Sequence, residues 1–314
     1  MTASQNSGKM ALLTGATGFL GRYVAKRLVH SGMEVRCVVR RSADLSVLQY
    51  LPVEVWRGDV TDAESLKGAM DGVDSVVHLV AIIRERGDAT FERINYHGTR
   101  NMVAAAKAAE VKRFVHMSAL GVGPYPQHKY FYTKWLGEEE VKKSGLPYTI
   151  LRSSMIFGPE DEFFNRFARL ARKPPMGIFN MGPVLPVPGS GNTTYQPIWV
   201  EDVAECILRT IKSEELVGCT VEIGGPEHLT YNQILDLIFQ TLKLKRWKLH
   251  LPVFMMLPAV WAMEKALPDP PATLEELKMA SLDNKTDLDA VPKTYGFTPV
   301  SIREKIDYIL SQER

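Results

Sequence analysis

Tyr130 and Lys134 stand four residues apart in Tyr130-Phe131-Tyr132-Thr133-Lys134. On a helix such a pair shares one face. An ammonium beside a phenol favours the phenolate, so the tyrosine can give or take a proton. Only Tyr130 has this spacing, because Tyr132 is two residues from Lys134. The same pattern also describes a plain helix start with aromatic side chains. Its meaning therefore rests on what lies nearby.

A second cluster carries a different chemistry. Leu12-Leu13-Thr14-Gly15-Ala16-Thr17-Gly18-Phe19-Leu20-Gly21 is an apolar strand running into Gly-x-x-Gly-x-x-Gly, and a helical pattern continues through Leu28. Glycines there allow a sharp turn and let a pyrophosphate approach without a Cβ in the way. The helix behind offers free N–H groups and the positive end of its dipole. This predicts a dinucleotide held by Gly15, Thr17, Gly18, Phe19, Leu20 and Gly21.

The ends of the next strands refine the reading. An NAD-type site places an acidic residue after the second strand to accept from the ribose. Here Val39 is followed by Arg40, Arg41 and Ser42. Guanidinium groups meet a 2′-phosphate in charge-assisted, bidentate fashion. NADP(H) is favoured over NAD(H), which stays as the alternative; a solvated basic turn is the bland reading. In Gly58-Asp59-Val60 the aspartate could accept from the adenine amino group or cap the following helix, with Val60 beside it. Leu79, Val80 and Ala81 would line the pyrophosphate and ribose, and Met117, Tyr130 and Lys134 complete the expected cofactor contacts.

These groups need a scaffold. Apolar runs at Met10–Thr14, Glu34–Val39, Val53–Arg57, Ser75–Leu79, Arg113–Met117 and Tyr148–Leu151 read as strands. Helical patterns lie between them, notably Asn95–Ala109 and Tyr130–Ser144. The alternation predicts an α/β fold, a Rossmann-type doubly wound parallel sheet with a smaller C-terminal substrate lobe. Such sheets bind ligands beyond the carboxyl ends of their strands. Residues 9–151 form the expected dinucleotide-binding domain. Residues 152–314 form the expected α/β lobe, some segments of which return to the sheet. That lobe carries a strand near Gln196–Val200, a helix near Asp202–Lys212, a strand near Thr220–Ile223 and a helix near Thr230–Leu242. Pro174–Pro183 reads as a flexible loop whose methionines could adapt to an apolar ligand.

Composition bounds the alternatives. The chain has 314 residues, 45% of them hydrophobic, and a net charge of +2. The length allows a sizeable core, and the scattered basic residues give no case for nucleic acid. Cys37, Cys206 and Cys219 show no metal spacing and read as reduced thiols of a reducing compartment. Met1–Lys9 resembles no signal peptide. No stretch reaches the roughly 18 apolar residues of a membrane span. A cytoplasmic protein, peripheral at a membrane at most, is expected.

Taken together, the chain resembles the extended short-chain dehydrogenase/reductase superfamily. The residues that carry the resemblance are Gly15, Gly18 and Gly21, Asp59, Asn95-Tyr96-His97-Gly98-Thr99-Arg100-Asn101, Tyr130 and Lys134, then Leu151-Arg152, Phe157-Gly158-Pro159 and Val200-Glu201-Asp202-Val203. His78–Ile83, Phe114–Gly123 and Gly224-Gly225-Pro226 resemble an atypical branch. That branch includes the nucleotide-binding accessory subunit of respiratory complex I and its bacterial relatives. The resemblance implies a serine or threonine after the fifth strand that hydrogen-bonds the substrate oxygen. Counting from Phe114 puts it at Ala119; counting back from Gly123 puts it at Ser118. Ser153 stands where the family usually has proline.

Two functions follow. One is an NADP(H)-dependent oxidoreductase or epimerase-like enzyme acting on a small or lipidic carbonyl or alcohol. Tyr130 would be its acid/base, Lys134 would orient the ribose, and Ser118 would polarise the carbonyl. The other is an accessory or assembly factor at a membrane complex with a structural NADPH. A redox-sensing regulator is a third class. Arg152, Arg166 and Arg169 could serve an anion or lie at the surface. The most apolar stretch, residues 252–267, is interrupted by Pro258 and too short to span a bilayer. It is either a helix whose methionines fill the lobe's core or a contact with a membrane surface or membrane-bound partner.

Overall fold

A computed structural model describes residues 9–172 and 184–311. In chain order its main elements are β1 (Met10–Thr14), α1 (Phe19–His30), β2 (Glu34–Val39), β3 (Glu54–Arg57), β4 (Val73–His78), α2 (Thr99–Ala108), β5 (Arg113–Ala119), α3 (Lys129–Lys143) and β6 (Tyr148–Ser153). There follow β7 (Ile156–Phe157), α4 (Phe163–Arg172), β8 (Val184–Pro188), β9 (Thr194–Tyr195), β10 (Ile198–Trp199), α5 (Val200–Lys212), β11 (Cys219–Ile223), β12 (Leu229–Thr230), α6 (Tyr231–Thr241), β13 (Trp247–Leu251), α7 (Val253–Ala266) and α8 (Leu274–Met279).

The chain divides into two compact units, residues 1–153 with 200–223, and residues 154–199 with 224–314. The first unit holds a seven-stranded sheet in the order β11-β6-β5-β4-β1-β2-β3. Every pairing in it is parallel. A parallel sheet is covered on both faces, so its strands are apolar almost throughout. Leu12, Val76, Phe114 and Ile150 pack on one face with Met102 and Val103 of α2 and Val141 of α3. Strand order reverses between β1 and β4, which opens a crevice beyond their carboxyl ends. β11 closes one edge of the sheet by pairing with β6, Cys219 opposite Thr149 through Ile223 opposite Ser153.

The helix expected from Asn95 begins earlier and differently. Glu92–Gly98 forms a π-helical stretch that runs directly into α2. Two contacts fix it. The Asn95 amide accepts from Ile82 N at 2.9 Å and donates to Ile82 O at 3.1 Å. Gly137 of α3 comes so near that a Cβ there would sit 2.9 Å from Asn95 O.

The second unit is built on aromatic packing. Phe163, Phe167, Tyr195 and Tyr231 form a contiguous set, with ring centroids 4.7 Å apart for Phe163 and Phe167 and 5.7 Å for Phe167 and Tyr231. The buried Asp161 carboxyl accepts from Phe164 N at 2.6 Å and from the Tyr308 hydroxyl. Burial pushes that carboxyl up to about 6. The Met176–Met181 loop lies outside the described residues. Among the described residues no helix is long and apolar enough to cross a membrane.

Candidate functional site

The glycine turn lies at the crevice. Gly15 takes φ +76°, and a Cβ on it would lie 3.4 Å from Leu79 and Val80, so the turn abuts the end of β4. Gly21 is tighter still, since a Cβ there would fall 1.9 Å from Gly15 O. That clash excludes every residue but glycine from the place where α1 returns past the turn. Gly18 is different. Its φ of −81° suits any residue, it is exposed, and a Cβ on it would meet only Gly15 O, at 3.2 Å. Gly18 is also the N-cap of α1, with no side chain capping the helix and no acidic residue in the first turn. An open, uncapped helix N-terminus is what an anionic pyrophosphate requires, so these residues fit the dinucleotide. Thr17, Phe19 and Leu20 are half-buried around it.

The neighbouring strand ends fall out as follows. Val39 is buried, and Arg40 and Arg41 are exposed just beyond it, with no carboxylate partner among the described residues. Asp59 Oδ1 accepts from Thr61 N at 2.8 Å and from Thr61 Oγ1 at 2.9 Å. The cap of the following short helix is Asp62, which accepts from Glu64 N, so the capping alternative raised for Asp59 falls to its neighbour. Val60 packs into the core, while Leu79 and Val80 are half-buried and Ala81 is exposed.

Tyr130 and Lys134 lie on consecutive turns of α3. Lys134 is buried, and its Nζ donates to Met117 O at 2.5 Å, at the end of β5. Burial lowers its pKa to about 8, opposed by Glu138. Tyr130 packs edge-on against Phe91 and Phe131, with centroids at 6.0 and 5.3 Å, and burial pushes its phenol up to about 12. The phenolate expected from the Lys134 spacing is instead disfavoured by desolvation. Ser118 faces α3, where its hydroxyl donates to Glu138 Oε1 at 2.6 Å. Of the two positions that sequence counting leaves open, Ser118 is thus the one turned toward the helix of Tyr130 and Lys134. Its only proton, however, goes to Glu138.

Glu138 belongs to a cluster that motif reading does not reveal. Its side chain is wholly buried and takes Arg152 Nε at 2.9 Å and Arg152 Nη2 at 2.6 Å. The carboxyl bonds hold the Arg152 pKa above its ordinary value. Lys134 plus four gives Glu138, so helical periodicity places both on one face. The partner on β6 is not legible from spacing. Arg152 is therefore committed, Arg166 pairs with Glu276 at 2.9 Å, and Arg169 is exposed. Two further buried groups lie by Lys134. His78 and His116 stack at 5.5 Å, and Thr14 Oγ1 meets His78 Nδ1 at 2.8 Å. Burial, with the Lys134 charge behind it, lowers His78 to about 3 and His116 well below the usual range. Both rings stay neutral at physiological pH. Cys37 and Cys206 are buried free thiols, and Cys219 is half-buried.

A switch-point crevice with a glycine turn defines a dinucleotide-binding protein of the Rossmann type. Residues 15–165 match the NAD(P)H-binding family model. The chain is 29% identical over 275 residues to NADH dehydrogenase (ubiquinone) 1 alpha subcomplex subunit 9, mitochondrial, of Arabidopsis thaliana, covering 84% of this chain and 64% of the relative. It thus spans somewhat less than two thirds of that relative's length. Over 169 residues it is 34% identical to the ceramide reductase of Caulobacter vibrioides, 54% of this chain and 53% of that one. Its fold matches UDP-glucuronic acid 4-epimerase from Bacillus cereus, solved with UDP-glucuronic acid and NAD, at TM-score 0.74 and 20% identity over 96% of this chain and 99% of the other. The chain is thus an NAD(P)-binding protein of Rossmann fold, similar in sequence to the complex I subunit and in fold to the epimerase.

Proposed function

We propose that this chain is an NADP(H)-dependent oxidoreductase of a small or lipidic carbonyl or alcohol, with Tyr130 as acid/base and Lys134 as its electrostatic partner. The observation that carries the reading is Lys134, a buried ammonium at the end of β5 one helical turn from Tyr130. The cofactor, when bound, supplies or accepts the hydride. The glycine turn binds its pyrophosphate, and Arg40 and Arg41 meet the 2′-phosphate. Tyr130, held protonated by burial, gives its proton to the substrate oxygen in the direction of reduction. Lys134 offsets the charge left on the phenol and orients the ribose hydroxyls. Ser118 adds little while its proton is directed to Glu138. The relative named a ceramide reductase supports a lipidic carbonyl. NADPH oxidation by the purified protein over a panel of long-chain and short-chain ketones tests this. Turnover that Tyr130→Phe leaves intact would refute it.

A second reading is favoured by the bond of Ser118 to Glu138 and by the likeness to the complex I subunit. In it the cofactor is structural, and the chain serves a membrane complex. NADPH that survives purification and is consumed by no substrate would decide for it.

A further inference from the structure

Between Asp236 and Glu264 the sequence contains no carboxylate, yet it contains Lys243, Lys245, Arg246 and Lys248. This interval builds β13 and α7 of the second unit. β13 turns Lys248 and His250 onto α6, where they meet Asp236 at 2.7 Å and Asn232 Oδ1 at 2.9 Å. The pleat turns Trp247 and Leu249 the opposite way, and Trp247 is 74% exposed. α7 follows at once and buries only Val260. Phe254 is 72% exposed and Trp261 56%. Residues 254, 258, 261 and 265 recur at helical spacing, so Phe254, Pro258, Trp261 and Lys265 form one outward stripe flanked by the exposed Met255 and Ala262. Met256 and Met263 are half-buried on the side of Val260, while Met255 is exposed, so the helix packs one side and leaves the other uncovered. The inward side, Val253, Met256, Leu257, Val260 and Met263, is apolar as well, so α7 carries an apolar stripe on its exposed side in addition to the one it packs.

We propose that this surface docks on the interface of an anionic lipid bilayer. The aromatic side chains would enter the headgroup region, and the lysines would meet anionic headgroups. An apolar, aromatic surface of this kind marks an interaction site. Tryptophan favours the boundary between lipid and water. With Lys248 paired to Asp236, the exposed Lys243 and Lys245 and the neighbouring Arg246 remain to be attracted to an anionic leaflet. The same charge opposes pairing with a second copy, which would set cation against cation. α7 has 14 residues and an internal Pro258, so it lies along the surface instead of crossing it.

Co-sedimentation of the full chain with two kinds of vesicle tests this independently of the cofactor reading. One vesicle is phosphatidylcholine alone; the other is equal parts phosphatidylcholine and phosphatidylglycerol. The protein should pellet with the anionic vesicles and show a blue shift of tryptophan emission. Phe254→Ser/Trp261→Ser should weaken partitioning about tenfold or more, and Lys243→Glu/Lys245→Glu by a similar factor. Circular dichroism melting checks that both variants fold; if the serine variant does not, the lysine variant decides. Wild type left in the supernatant, equal pelleting with both vesicles, or variants that partition like wild type would overturn the proposal. So would a wild-type dimer that the serine substitutions dissociate.

Discussion

The glycine turn and the Ser118–Glu138–Arg152 cluster sit on one sheet and use similar chemistry to opposite ends. At the turn, Gly18 is exposed, α1 lacks a side-chain cap, and Arg40 and Arg41 have no carboxylate among the described residues. In the cluster, Ser118 gives its proton to Glu138, and Glu138 takes two bonds from Arg152. Donors left open can receive an anion from outside. Donors already committed tie α3 to the strands beneath it. On the proposed function, the difference separates groups left open to a ligand from groups that hold the frame, even where both contain arginine.

The sharpest challenge to this contrast is Gly18→Val. The branched side chain occupies the open space over the turn, while the backbone there tolerates any residue. NADPH binding, followed by fluorescence titration, should be lost, with stability lowered by only about 1 kcal/mol, the cost of a poorer N-cap. Bound NADPH in the variant would mean that the cradle lies elsewhere. Next in size is Tyr130→Phe, which should lower turnover by about 10²–10⁴-fold while NADPH still binds. Tyr132→Phe should leave turnover unchanged.

The committed side of the contrast is tested by acid. Folded His78 stays neutral down to about pH 3, whereas the unfolded side chain takes a proton near 6.5. The unfolded state therefore binds more protons between those values, and stability falls as pH drops through that window. The expected slope is about 1.4 kcal/mol per pH unit for this residue, and His116 adds in the same direction. Thermal melts should show it, and His78→Gln should flatten it; a wild-type melting temperature unchanged from pH 6.5 to 4 contradicts it.

Glu138→Gln breaks a buried pair and should cost about 3 kcal/mol in denaturant melts, with NADPH affinity little changed. Loss of affinity with stability intact would move Glu138 to the ligand-binding side of the contrast. The smallest effect is Arg40→Ala. It should narrow the preference for NADPH over NADH by about 1–3 kcal/mol in isothermal titration. An unchanged preference would show that the exposed guanidinium meets only water.

Much of the first unit was legible because its signals are local. Met10–Thr14 and Glu34–Val39 are apolar runs bounded by glycine and charge, and both are strands with those bounds. Gly15, Gly18 and Gly21 read as a phosphate turn because their spacing lies within seven residues of chain, although only the Gly21 demand is itself local, against Gly15 O, while Gly15 meets Leu79 and Val80 of a distant strand end. The same locality gave the side-chain periods from which a doubly wound sheet follows. Tertiary structure decided what depends on distant partners. The π-helical start at Glu92 exists because Asn95 pairs with Ile82 and Gly137 presses against it. Ser118 and Ala119 could not be told apart by counting, since only the arrival of Glu138 from α3 fixes where the hydroxyl goes. For residues 252–267, hydropathy cannot say which way an apolar helix faces. That direction was set by what α7 packs against, and the fold buries Val260 and leaves Phe254 and Trp261 outside.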